Sequence, residues 1–122
     1  MLVDEGNSTE LLDELCGEQL SAVTFVQGYL QLWFDGPCIN VTNPLTVLAD
    51  AINVTSWHPG FRDALCSQIA KTIASVQLRT NEALTIRFTD GSVVSVSLLP
   101  EAYTSPEAIY AHGFKRGSWL VA

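Results

Sequence analysis

The chain has 122 residues, 48% of them apolar, and a net charge of −7, which fits one domain with its own core and argues against disorder. No run of 18 apolar residues occurs, so no segment is long enough to cross a membrane as a helix. The first 61 residues hold eight acids (Asp4, Glu5, Glu10, Asp13, Glu14, Glu18, Asp35, Asp50) and neither Lys nor Arg; the other 61 hold five acids and all six basic residues. This one-sign field disfavours nucleic acid and anionic lipid, which need Lys/Arg clusters, and suits a basic protein or a cationic ligand.

In chain order, Met1-Leu2-Val3-Asp4-Glu5-Gly6 is acidic and lacks the basic and apolar regions of a signal peptide, so a cytoplasmic location is expected. The Asn-x-Ser/Thr triplets at Asn7, Asn40 and Asn53 then carry no glycan. Asn7-Ser8-Thr9 offers N-cap chemistry, with Glu10, Asp13 and Glu14 at the positive end of a helix whose apolar stripe is Leu11, Leu12 and Leu15. Gly17 is a natural stop. Strands follow at Leu20–Val26, Tyr29–Phe34 and Cys38–Thr42, the second alternating strictly, with Asp35-Gly36 as a turn. The link Asn43–His58 is long enough to hold a short helix, expected at Val47–Ile52.

Pro59 opens a second helix with Phe61, Leu65 and Ile69 on one face, and Cys66 is expected in the core beside Leu65. Further strands are expected at Thr72–Arg79, Leu84–Phe88 and Val93–Leu98. Ser105-Pro106-Glu107 has the chemistry of a helix start, predicting a short helix that closes at Gly113, and the apolar tail Phe114–Ala122 reads as a packed strand.

An internal period runs through these elements. Leu12, Gly17, Leu20, Val23 and Phe25 match Leu65, Ala70, Ile73, Val76 and Leu78 at a displacement of 53. After one- and two-residue loop differences, Leu30, Leu32, Phe34, Asp35-Gly36, Ile39 and Val41 match Leu84, Ile86, Phe88, Asp90-Gly91, Val94 and Val96. The expectation is a single α+β domain, 1–122, of two pseudo-repeats (8–42 and 59–98). Each is a helix plus a three-stranded antiparallel β-meander, with helices packed on antiparallel sheet, a connecting segment at 43–58 and a C-terminal helix and tail at 99–122.

The runs Val23–Gly36, Phe61–Cys66 and Phe88–Ser92 resemble small acidic bacterial proteins encoded by mobile gene cassettes or near toxin–immunity loci. The resemblance implies a bacterial cytoplasmic α+β protein and brings no catalytic motif with it.

Two places could carry function. On the second strand, Tyr29, Gln31 and Trp33 occupy the face opposite the core, and large aromatics on a sheet surface mark contacts: with the chain's own tail and Trp119, with a second copy, or with a ligand. Tyr103 and Tyr110 add aromatic surface for a cationic ligand. The stretch Trp57-His58-Pro59-Gly60-Phe61-Arg62-Asp63 is the other, with Trp57, His58 and Arg62 as binding residues or, in a hydrolase, His58 as a general base oriented by Asp63 or Asp50. The simpler reading makes Trp57 and Phe61 packing anchors and His58 a loop residue. Cys16, Cys38 and Cys66 show neither zinc nor disulfide spacing, the two histidines have no ligand spacing, and neither metal nor cofactor is expected. No catalytic residue is assigned. The best reading is a non-enzymatic binding protein, immunity- or antitoxin-like, expected as a homodimer and with a basic protein as a further partner; the alternative is a small-ligand binder.

Overall fold

A computed structural model describes the backbone of residues 5–122 and every side chain in that range except those of residues 5–8 and 116. The acidic opening at residues 1–4 and the cap side chains Asn7 and Ser8 thus lie outside the described residues.

Helix α1 (Glu5–Leu12) runs into a 3₁₀ turn at Asp13–Leu15, and strands β1 (Ala22–Val26), β2 (Tyr29–Trp33) and β3 (Cys38–Val41) follow. Next come β4 (Leu45–Ala49), β5 (Ile52–Thr55), helix α2 (Phe61–Cys66), β6 (Ile73–Arg79), β7 (Ala83–Phe88) and β8 (Val93–Ser97). The chain closes with β9 (Ile109–His112) and β10 (Leu120–Val121). These form two antiparallel sheets, ordered β1-β2-β3-β9-β10 and β5-β4-β8-β7-β6.

This corrects the expected α+β architecture of two helix-plus-meander repeats. The molecule is mostly β, and helices of eight and six residues are too short to roof a five-stranded sheet. The inward residues of both sheets instead meet in one buried cluster, with Leu30, Leu32, Phe34, Ile39 and Val41 from the first and Val47, Leu84, Ile86, Phe88, Val94 and Val96 from the second. Three strands, β4, β5 and β9, went unforeseen, whereas β10 falls in the tail expected to pack as a strand. Leu45, Val47 and Ala49 are buried at a period of two, and Asp50, at φ +51°, turns the chain into β5, so the expected helix at 47–52 is a hairpin. Ile109 and Ala111 likewise point inward while Tyr110 and His112 point outward, so the expected helix at 105–113 contains a strand. α2 ends at Cys66, leaving Ile69 exposed beyond its face.

Neither sheet is built from one half of the chain. β3 and β4 are consecutive but lie in different sheets, and so do β8 and β9. The sheets also join along a seam, where Gly17 N–H donates to Ile73 O at 2.9 Å, Ile73 N–H to Glu18 O at 2.8 Å and Ala70 N–H to Leu20 O at 2.7 Å. Ala70, with φ +77°, is a non-glycine residue held in the left-handed region by this pairing.

Gly113, just past β9, has φ +83°, and a Cβ there would lie 2.5 Å from the carbonyl oxygen of Gly36 in the β2–β3 turn. Gly113→Ala is expected to cost more than about 2 kcal/mol, combining left-handed strain with a clash against backbone. Gly117→Ala, with φ +67° but open space around it, should cost only about 1 kcal/mol. Denaturant titration of the two variants checks this; equal losses would show that Gly113 and Gly36 do not meet.

Candidate functional site

The pairing register places the outward residues of the first sheet in rows. One row runs Thr24, Gln31, Asn40, Tyr110, Val121, and the next runs Ala22, Trp33, Cys38, His112. Tyr29 begins β2 on the same side, and Trp119, 66% exposed, stands just before β10 at the far edge. This face therefore carries Tyr29, Trp33, Tyr110 and His112 around a central pair of amides, and its strands contribute no Lys or Arg. The chain's own tail does not cover it: β10 joins the sheet in plane, beside β9.

Hydrogen bonds fix this surface. Gln31 Nε2 donates to Asn40 Oδ1 at 3.0 Å, and Trp33 Nε1 donates to Thr24 Oγ1 at 3.2 Å, so the indole nitrogen is satisfied within the sheet. Tyr110 and His112, two apart on one strand, stack with ring centroids 4.8 Å apart and planes 26° from parallel. Tyr29, Asn40, Thr42, Glu107, Ile109 and Tyr110 line a shallow cleft of about 280 Å³. Of these only Tyr29 had been singled out with Trp33 from sequence as a face residue; Asn40, Thr42 and Glu107 join it only through the pairing of β3 with β9.

The other sequence candidates lie elsewhere. Trp57 packs edge-on against Phe25 at 6.2 Å and Phe61 at 5.6 Å, and the Arg62 guanidinium sits 5.4 Å from the Trp57 ring and 5.8 Å from Phe25. This arrangement ties α2 to β1, with Arg62 in a cation–π contact, while Trp57 stays 52% exposed and lines a cleft of about 240 Å³ with His58 and Arg62. Trp57 has φ +68°, a strained conformation for a bulky residue, held by Phe25 and Phe61. His58 is exposed; its backbone N–H donates to Thr55 O and its carbonyl accepts from Phe61 N–H. No carboxylate lies within ion-pair distance of its ring among the described residues, so Asp63 and Asp50 do not orient it. Tyr103 packs against the core and lines a small cleft with Leu78, Asn81 and Leu98 beside the β6–β7 turn, away from Tyr29.

Lys71, Asp90 and Ser92 form a cluster the sequence reading did not single out as a site. Lys71 Nζ lies 2.8 Å from Asp90 Oδ2 and donates to Ser92 Oγ at 3.2 Å, while Ser92 donates to Asp90 Oδ1 through Oγ at 2.5 Å and N–H at 2.9 Å. The hydrogen bond from Lys71, followed by those from Ser92, holds the Asp90 carboxyl well below the usual carboxylate range. With the ammonium engaged by a carboxylate, Lys71 is a lock on the β7–β8 turn and not a base for Ser92. Among the described residues, no three His, Cys, Asp or Glu side chains gather to hold a metal ion.

No family model, curated protein or solved structure matches the chain.

All three cysteines are free; Cys16 and Cys66 are exposed, correcting the expectation that Cys66 is core, and Cys38 is buried on the aromatic face. α2 turns Leu65 inward and Cys66, one residue on, toward solvent. Burial pushes the Cys38 thiol up to about 11, so it contributes stability below the unfolded value of about 9 that is lost as pH rises through 11. Thiol titration of the native protein should therefore find two reactive cysteines, and a third only after denaturation. Between pH 9 and 11 wild type should lose on the order of 2 kcal/mol more than Cys38→Ala; identical pH profiles would contradict the burial.

Proposed function

We propose that this chain is a non-enzymatic cytoplasmic binding protein, immunity- or antitoxin-like, that captures a basic protein through the outer face of its first sheet. One observation carries the reading: Tyr29, Trp33, Tyr110 and His112 surround the Gln31–Asn40 pair on a face that the tail leaves open and whose strands bring no Lys or Arg. Aromatic rings with fixed amides supply contact area at low entropic cost, as recognition surfaces do. The net charge of −7 supplies attraction toward a basic partner. Three unpaired thiols, two of them exposed, fit a reducing compartment, and among the described residues no helix is long and apolar enough to cross a membrane.

A second copy of the chain is the competing occupant, favoured by the exposure of Tyr110 and Trp119. Charge weighs against it, because the strands of this face bring no Lys or Arg to meet Glu107 of a facing copy. The hydrolase alternative draws no support from His58, which lacks an orienting carboxylate.

Surface binding to a set of small basic proteins tests the proposal, with light scattering alongside. The expected result is salt-sensitive binding that Trp33→Ala and Tyr110→Ala each weaken about tenfold while melting temperature holds. Arg79→Ala, on the other sheet, should leave it unchanged. A wild-type dimer that Trp33→Ala converts to a folded monomer would instead assign the face to self-association.

A further inference from the structure

The cleft at one end of the aromatic face has chemistry of its own. Its floor is β3, with Asn40 and Thr42, and its walls come from the strands on either side, Tyr29 on β2 and Tyr110 on β9. Two strand spacings put these walls roughly 10 Å apart at the backbone, which leaves room between the rings for one alkyl chain. The stack with His112 occupies one face of Tyr110 and leaves the other toward Glu107, since residues 107, 110 and 112 follow in that order along the strand and its approach. Glu107 is the only charged residue among those lining the cleft, and its carboxylate has neither hydrogen bond nor ion pair among the described residues. Electron-rich ring faces beside an unpaired carboxylate attract an organic cation. The volume of about 280 Å³ falls below that of ordinary small-molecule pockets and suits the end of a side chain.

We infer that the cleft bounded by Tyr29, Tyr110 and Glu107 receives the ammonium group of a lysine side chain on the basic protein partner, an inference that rests on the binding reading above. The alkyl stem lies between the tyrosines over the Asn40 floor, the ammonium reaches Glu107, and the Thr42 hydroxyl gives an acceptor for a further proton, the Asn40 Oδ1 being engaged by Gln31 and Cys38. No bond is made or broken, and the site acts by selection alone.

Amide chemical shifts of labelled protein provide the test, with N-acetyl-trilysine amide as the probe. Saturable shifts are expected at Tyr29, Asn40, Thr42 and Tyr110, weakened about five- to tenfold by Glu107→Gln and by Tyr110→Leu. The norleucine tripeptide, which keeps the stem and drops the charge, should give none. Shifts that gather instead at Glu10, Asp13 and Glu18, or that persist unchanged in Glu107→Gln, would overturn the assignment as unspecific attraction to acid. Pentylamine binding as tightly as the tripeptide would also overturn it, by making the cleft a small-amine site. The two readings fail separately. Basic-protein binding that depends on Trp33 but not on Glu107 removes the lysine cleft and leaves the face, whereas indifference to both residues removes the face.

Discussion

The arrangement of the molecule depends on where the chain crosses from one sheet to the other. β3 ends at Val41, β4 begins at Leu45, and in the three intervening residues the backbone changes sheets. Asn43 is buried there, its N–H and that of Thr42 directed at Ala108 O and its Nδ2 donating to Ser97 O at 2.9 Å. These bonds tie the first crossing to the strands on either side of the second, between β8 and β9. Because a buried backbone polar group must find a partner, the two crossings hold each other in place. The consequence is that β9 lies beside β3, which sets Tyr110 opposite Asn40 and completes the aromatic face.

That exchange also explains why the two outer surfaces differ. On the second sheet the outward rows run Gln77, Thr85, Ser95, Thr46 and Thr55, with Arg79 and Arg87 nearby, a solvated pattern of short hydroxyl side chains. On the first, rings and amides occupy equivalent positions without cations. An antiparallel sheet with one face in water ordinarily carries the former pattern. Rings held by side-chain hydrogen bonds and stacking cost little entropy to immobilise further, so this surface is better prepared for contact than the opposite one.

Much of the strand content was legible because alternation is a local signal. Strands stand at or near the six expected meander positions and within the expected tail strand, and the outward parity of Tyr29 and Trp33 followed from the inward parity of Leu30, Leu32 and Phe34. The remaining strands were hidden by conflicting local chemistry. Pro44 and Asp50 bracket β4 so closely that its three buried positions read as part of a loop, and Ser105-Pro106-Glu107 imitates a helix cap although Ile109 and Ala111 then follow a period of two. The candidate site was half legible for the same reason. Tyr29 and Trp33 declare themselves within one strand, whereas Asn40 meets Tyr110 across seventy residues of chain, a pairing that no local pattern encodes. Trp57 and Arg62 were read as site-like without their contact to Phe25, because nothing in sequence places that ring beside them.

Charge and chemistry sit in different parts of the molecule, and the separation has a consequence for recognition. The described acids around α1 and the following turn, Glu10, Asp13 and Glu14, belong to a segment packed against β6, at the edge of the second sheet. Beyond a Debye length of about 8 Å at physiological salt such charges are largely screened, so they would influence the approach of the proposed basic partner more than its final fit. Under the proposed function, discrimination would fall to short-range groups on the aromatic face, where ring contacts and one carboxylate act over a few ångströms and are less open to screening. On the proposed reading, a partner would be attracted by its overall charge but retained for the placement of a single cation among apolar contacts. Protein surfaces of equal net charge that lack that placement would collide with the molecule just as often and leave sooner.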